Sequence, residues 1–396
     1  MIARPLASEI GPAPAPILSA DNGFAVRVWG RMLRYRRQSH RGQNMPIKTN
    51  PGNFFEDFRL GQEIVHAVPR TVTEGDVALY IGLTGSRFAL HSSDAFAQGI
   101  GYEQAPIDDL LLFHMVFGRT VADISLNAIA NLGYAQCSFG APVFPGDTIA
   151  ARSQVIGLKE NSNRETGVVY VRSVGRNQMG DVVLDYVRWV MVRKRDRDAP
   201  APEMQVPDLL GHVPASDLIV PDGLQLENYD LDLAGSTHFW EDYDKGERID
   251  HVDGMTLEES DHMIATRLYQ NNAKVHFNQH AESKGRFGKR LIYGGHIISL
   301  ARALTCNGLA NAFRILAING GRHVNPSFAG DTIYAWSEVL EIVELPGRTD
   351  LGALRLRTIA AKDYPCADFP GPDAQGKYPP EVVLDLDYTV LLPRRR

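Results

Sequence analysis

At 396 residues the chain exceeds what one ordinary domain needs, and 44% hydrophobic with 22% charged residues is the composition of a soluble globular protein. A net charge of -6 excludes a chain-wide attraction to nucleic acid or anionic membrane. The three cysteines, Cys137, Cys306 and Cys366, are widely separated, which argues against a zinc site or disulfide framework and for a reducing, cytoplasmic setting; no stretch approaches the roughly 18 apolar residues of a membrane span.

Residues 1–48 differ from the rest. PAPAP at 12–16 is followed by Arg27, Arg31, Arg34, Arg36, Arg37 and Arg41 with few acids between them, and no apolar signal core is present. The expectation is a disordered N-terminal extension, or an upstream start with Met45 as the working initiator.

From residue 49 the chain is written twice. FFEDFRLGQEI at 54–64 returns as FWEDYDKGERI at 239–249, 185 residues later. The same interval joins His66 to His251, Thr71 to Thr256, Asp76 to Asp261, His91 to His276 and Ile107 to Ile292, and FPGDT at 144–148 matches FAGDT at 328–332 with a slip of one residue. Such a long shared interval is an internal duplication, and copies of this length fit two domains of one fold: 49–197 and 236–396. Between them lies a proline-rich linker, 198–235.

Each copy reads alike in chain order. Thr71 and Thr256 stand three residues before Glu74 and Glu259, a capping-box spacing that opens a short helix (76–84; 261–270). A loop with a histidine follows, then a long apolar helix: LLLFHMVFGRTVADISL in the first copy, IISLARALTCNGLANA in the second. GDT is a turn, and three alternating strands complete the copy (148–158, 166–178 and 182–194; 332–343, 352–363 and 382–393). His66 and His251 lie in strand-like text and read as structural. One long helix with an antiparallel sheet is an α+β layer fold whose open edge a second copy can cover.

The order of helix, LTG-x5-H loop, long helix and FPGDT resembles the MaoC-like, R-specific enoyl-CoA hydratases of the hot-dog fold, over about residues 49–396. The resemblance implies a double hot-dog. In that family the loop reads D-x-N-P-x-H, its Asp and His act on water, and a glycine amide some 18 residues after the His polarises the thioester carbonyl. Here the first loop, GSRFALH, has Ser86 for the Asp and ends at His91; the second, NNAKVH, has Asn271 for the Asp and ends at His276. Eighteen residues on stand Asp109 in the first copy and Gly294 in the second. An aspartate would repel an oxyanion and a helix-opening glycine amide would bind it. The expectation is therefore catalysis in the second half by His276, Asn271 and Gly294, with the first half, including His91, shaping the pocket.

The wording is closest to members that act on a branched dicarboxylic CoA monothioester. Such a substrate carries its own carboxylate, for which Arg87 and Lys274 are candidate partners. Arg286, Lys289 and Arg290 stand just before Gly294, where the phosphates of CoA would need cations. The resemblance implies no cofactor and no metal, CoA being part of the substrate, and a homodimer as the assembly. Two other readings stay open: a thioesterase or fatty enoyl-CoA hydratase on the same fold, and a non-catalytic acyl-CoA-binding protein.

Overall fold

The computed structural model of the chain describes residues 48–395, so the expected N-terminal extension lies outside the described residues apart from Lys48. Ten strands form one antiparallel sheet. The first copy supplies β1 (Glu63–Thr71), β2 (Ala128–Phe139), β3 (Thr148–Glu160), β4 (Thr166–Arg176) and β5 (Val182–Arg193). The second supplies β6 (Arg248–Thr256), β7 (Arg314–His323), β8 (Thr332–Glu344), β9 (Leu351–Lys362) and β10 (Val382–Pro393). Their order is β1-β3-β4-β5-β2-β7-β10-β9-β8-β6, so each copy contributes five strands and the halves join where β2 pairs with β7. The edge that each copy would expose alone is thereby covered. The two strands that make this join lie between the long helix and the GDT turn, where the sequence pattern leads to no expected strand.

Four helices matter for the site: α1 (Glu74–Thr84), α2 (Asp109–Thr120), α3 (Glu259–Tyr269) and α4 (Gly294–Leu304). In α2 every residue but Arg119 is buried, and in α4 every residue after Gly294 is buried. Helices apolar on all sides have nowhere to go but the concave face of a sheet. Strand β3 shows the complementary pattern: Ile149, Ala151, Ser153 and Val155 are buried while Arg152 and Gln154 face solvent. Leucines and aromatics of α2 and α4 join side chains from both halves of the sheet in one continuous core, and Thr49–Arg396 form a single compact unit.

Local signals explain the details. Gly146 (φ +102°) and Gly330 (φ +98°) occupy left-handed backbone, and Asp147 and Asp331 accept hydrogen bonds from the amides of Phe144 and Phe328 at 2.9 Å. The GDT motif is thus a self-capped turn in both copies. The capping box is displaced from its expected place. Thr73, not Thr71, caps α1, with Asp76 reciprocating, whereas Glu258 precedes α3 without a side-chain cap. Thr71 and Thr256 instead end β1 and β6, where their hydroxyls bond those of Thr148 (2.8 Å) and Thr332 (2.9 Å). His66 and His251 fasten the two edge strands. His66 bridges Asp123 and Ser153, both at 2.8 Å; His251 bridges the Asn307 carbonyl (2.7 Å) and Ser337 (2.8 Å).

The connection over 198–235 is a packed strap. Gln205 pairs with Leu158, the amide of Val213 donates to Asn319 (2.9 Å), and that of Gln225 to the Ile100 carbonyl (3.0 Å). Leu224 and Leu226 pack among Leu90, Phe96, Phe313 and Leu391, which come from both halves.

Candidate active site

The backbone places His276 where a hot-dog hydratase needs it. Helix α3 ends because Gln270 adopts left-handed backbone (φ +54°) and turns the chain out of the helix. Asn271 follows, buried, and its Oδ1 accepts from the amide of Ala273 at 3.1 Å, which shapes the loop. That bond uses one lone pair of the carboxamide oxygen, and the second lone pair and the Nδ2 amide are left for a ligand. His276 stands in the short helical turn Lys274–Phe277, and its Nδ1–H donates to the Leu291 carbonyl at 2.9 Å. That bond fixes the tautomer and leaves the Nε2 lone pair for chemistry. Burial pushes the His276 pKa down to about 4, although the Leu291 carbonyl favours the protonated ring, so the imidazole is neutral at pH 7.

Gly294 opens α4 and Asp109 opens α2, so the two positions compared in sequence are structurally equivalent. Their surroundings differ. The amide before Gly294, that of Tyr293, donates to His262 Nε2 at 2.9 Å. The amides of Gly294 and Gly295 have no hydrogen-bond acceptor among the described residues. A Cβ on Gly294 would sit 2.4 Å from the ring of His323, so only glycine lets that ring lie against the helix start. In the first half, Asp109 is buried and its carboxylate accepts from the Ile315 amide at 2.8 Å, with His91 Nε2 at 3.7 Å and Arg314 Nη1 at 3.9 Å. His91 Nδ1 is spent on the Pro106 carbonyl (3.1 Å). What would be the first-half reaction centre is thus a polar joint that ties α2 to β7.

A cavity of about 290 Å³ opens between the halves. Asn271, His276, Tyr293, Gly294 and His323 line it from the second half. Phe117, Ser125, Asn131, Tyr134 and Arg188 line it from the first. No aspartate or glutamate is among the lining residues. His276, Asn271 and Gly294 are brought together as expected from the sequence. Arg87 and Lys274 are not among the lining residues. Both are exposed, because their loops turn Phe88, Leu90 and Val275 inward instead. His91 is buried away from the cavity in the joint with Asp109. Near the mouth, Arg286 lies 5.1 Å over the ring of Phe287, a lining residue, and Lys289 lies 4.3 Å over Phe328. Arg290 is spent on Glu259.

Tyr134, His323 and Asn131 carry no signal in the sequence that singles them out, and Arg188 carries only its place in the alternation of its strand. Tyr134 and Asn131 are on β2 and His323 ends β7, the two unannounced strands; Tyr134 and His323 approach to 3.4 Å across the seam.

The second half is rich in histidines held neutral by burial. His251, His276, His296 and His323 are lowered to about 4 and His262 to about 3, against an ordinary 6.5. The folded-state pKa values lie below the unfolded ones, so as pH falls beneath 6.5 the unfolded chain takes up protons first. The stabilisation is complete above pH 6.5 and is lost progressively between 6.5 and about 4. Thermal melts should give a Tm that is level from pH 8 to 7 and falls steeply between pH 6 and 4; a Tm still level at pH 4.5 would contradict the neutral assignment.

Two hot-dog halves in one chain, with a single histidine loop facing a glycine-opened helix, define the MaoC-type double hot-dog class. Within that class, the chain belongs to the mesaconyl-CoA hydratase family, whose profile matches residues 46–367. It is 68% identical over 351 residues to a β-methylmalyl-CoA dehydratase of Chloroflexus aurantiacus, covering 89% of this chain and all of the relative. It is 60% identical over 350 residues to a mesaconyl-CoA hydratase of Cereibacter sphaeroides, covering 88% of this chain and all of that one. Among solved structures, a MaoC domain protein dehydratase from Chloroflexus aurantiacus superposes with a TM-score of 0.87 at 68% identity, covering 88% of this chain and 100% of the other. A double hot-dog protein of Mycobacterium tuberculosis, at 22% identity and TM-score 0.67 over 86% of this chain and 98% of the other, shares the fold.

Proposed function

We propose that the chain adds water reversibly to mesaconyl-CoA to give β-methylmalyl-CoA, in the cavity between its two halves. The observation that carries this reading is a neutral His276, its Nε2 free, lining the same cavity as the unpaired amide of Gly294. The thioester carbonyl oxygen would accept from the Gly294 amide at the positive end of α4, drawing electrons from the conjugated double bond. Water, held by the Asn271 carboxamide and His276, would attack the carbon that bears the free carboxylate. His276 would take a proton from that water and return one to the methyl-bearing carbon, so no net proton is gained or lost. Arg286 and Lys289 at the mouth would meet the phosphates of CoA.

A carboxylate on the attacked carbon also accounts for the missing enzyme acid. Two anions in one desolvated space repel unless they share a proton.

The wild-type protein should consume mesaconyl-CoA with loss of the thioester-conjugated ultraviolet absorbance and approach the same equilibrium from β-methylmalyl-CoA. The absence of any acid from the cavity wall favours one second reading, a non-catalytic acyl-CoA-binding protein. Binding of mesaconyl-CoA without any absorbance change would select that reading. A homodimer of double hot-dogs would elute with a light-scattering mass twice the 43.8 kDa of one chain.

A further inference from the structure

Arg188 is the one arginine or lysine among the residues that line the cavity, and the reaction above does not use it. It lies on β5 with its side chain wholly buried, in register with the apolar Leu184, Tyr186, Val190 and Val192 on the core-facing side of the strand. Nη2 donates to Thr120 Oγ1 at 2.8 Å and to Ser125 Oγ at 3.4 Å, while Nε and Nη1 have no hydrogen-bond partner. The guanidinium stacks 4.2 Å over the ring of Phe117. Among the described residues no carboxylate comes within ion-pair distance. Asp185 nearby in sequence is bound instead by the exposed Arg172 on the other face. The matching position on β10 is Tyr388, whose hydroxyl is satisfied by Thr358 at 3.0 Å, so the buried cation belongs to one half only.

A buried, uncompensated guanidinium is costly. It would be retained where something outside the chain supplies the missing anion. Its planar fork, with two donor nitrogens idle, fits a carboxylate. Resting on the hydratase reading above, we propose that Arg188 is the receptor for the free carboxylate of the substrate, a specificity-determining residue supplied by the first half to a reaction centre in the second. The acyl group then spans the cavity between two fixed points. Its thioester carbonyl lies at Gly294 and its carboxylate at Arg188, which leaves the double bond between them for His276. The first half, which has lost its own reaction centre, thereby keeps a definite chemical role, the selection of dicarboxylic monothioesters over plain enoyl chains.

The test separates this inference from the reaction itself by using saturated, unreactive thioesters. The CoA monothioester of 2-methylsuccinate and 2-methylbutanoyl-CoA differ by a carboxylate in place of a methyl group. Calorimetry should show the wild type binding the first roughly tenfold to a hundredfold more tightly, the range that charged hydrogen bonds support. Arg188→Met should abolish that preference while leaving affinity for 2-methylbutanoyl-CoA nearly unchanged. Arg188→Lys, which keeps the charge without the fork, should fall between. Because Arg188→Met removes an unpaired buried charge, the ligand-free variant should melt no lower than wild type, which separates lost recognition from lost folding. A wild type that does not distinguish the two ligands, or an Arg188→Met variant that keeps the distinction, overturns the assignment. Failure of the wild type to turn over mesaconyl-CoA would instead overturn the hydratase reading and leave the carboxylate preference to be decided by the binding data.

Discussion

Replacing His276 by alanine should lower turnover of mesaconyl-CoA by about a hundredfold or more, the usual loss when a positioned acid–base group is removed. Among the other lining side chains only His323 is a neutral imidazole. The wall holds no carboxylate, and Asn271 cannot accept a proton at neutral pH. His323 also lines the cavity, but its ring lies against Gly294 and its Nε2 is 3.4 Å from the Tyr134 hydroxyl. Tm at pH 7 should change little, because the neutral imidazole gives up a single hydrogen bond, to the Leu291 carbonyl. Substrate affinity should be nearly kept, since the carbonyl and carboxylate contacts lie elsewhere. A His276→Ala enzyme with near-normal turnover would move the proton transfer to another group, and a collapse of Tm would make the loss uninterpretable as catalysis. Measuring kcat, ligand affinity and Tm together therefore decides the role.

The sequence disclosed this architecture to the extent that its signals are local. The duplication, the GDT turns and the six strands after them are carried by short patterns: a glycine needing positive φ, an aspartate bonding its own turn, alternating side chains. The equivalence of Asp109 and Gly294 was likewise countable, and the structure puts both at the first turn of their helices. Strands β2 and β7 escaped for a physical reason. They come soon after the apolar helices, and neither shows a regular burial alternation: β2 begins with exposed Ile129 and Leu132. In β7 the run Arg314–Asn319 is buried throughout, so no alternation announces it. Since these strands form the seam, the residues they bring to the cavity were hidden as well. Arg188 escaped differently. An arginine in strand text reads as solvent-facing, and Arg87 and Lys274 drew attention because they flank the histidine loops. The available signal was parity: Arg188 alternates with Leu184, Tyr186, Val190 and Val192, all inward-facing, whereas Arg172 faces solvent.

The seam also fixes where the protein is least tolerant of added volume. Gly118, in the last turn of the first half's buried helix α2, is met by the end of α3: a Cβ there would lie 1.8 Å from the carbonyl oxygen of Tyr269 and 2.9 Å from its carbonyl carbon. The obstruction is backbone, so no rotamer change can relieve it. Gly118→Ala must push α2 and α3 apart or shift the turn at Gln270. Overpacking in a close-packed interior costs about 1–3 kcal/mol, and a rigid obstacle places this variant at the upper end or beyond. The higher helix propensity of alanine, worth about 1 kcal/mol, offsets only part of that. Activity should suffer more than stability. Asn271 is the second residue after the displaced carbonyl and begins the loop that carries His276, and a misplacement near 1 Å at a reacting group can reduce rate about a hundredfold. The expected result is a Tm several degrees lower together with a kcat loss far larger than that destabilisation alone would give at 25 °C, where the variant remains folded. Unchanged Tm and kcat in Gly118→Ala would mean that the helices do not approach this closely, and that the first half does not brace the catalytic loop of the second.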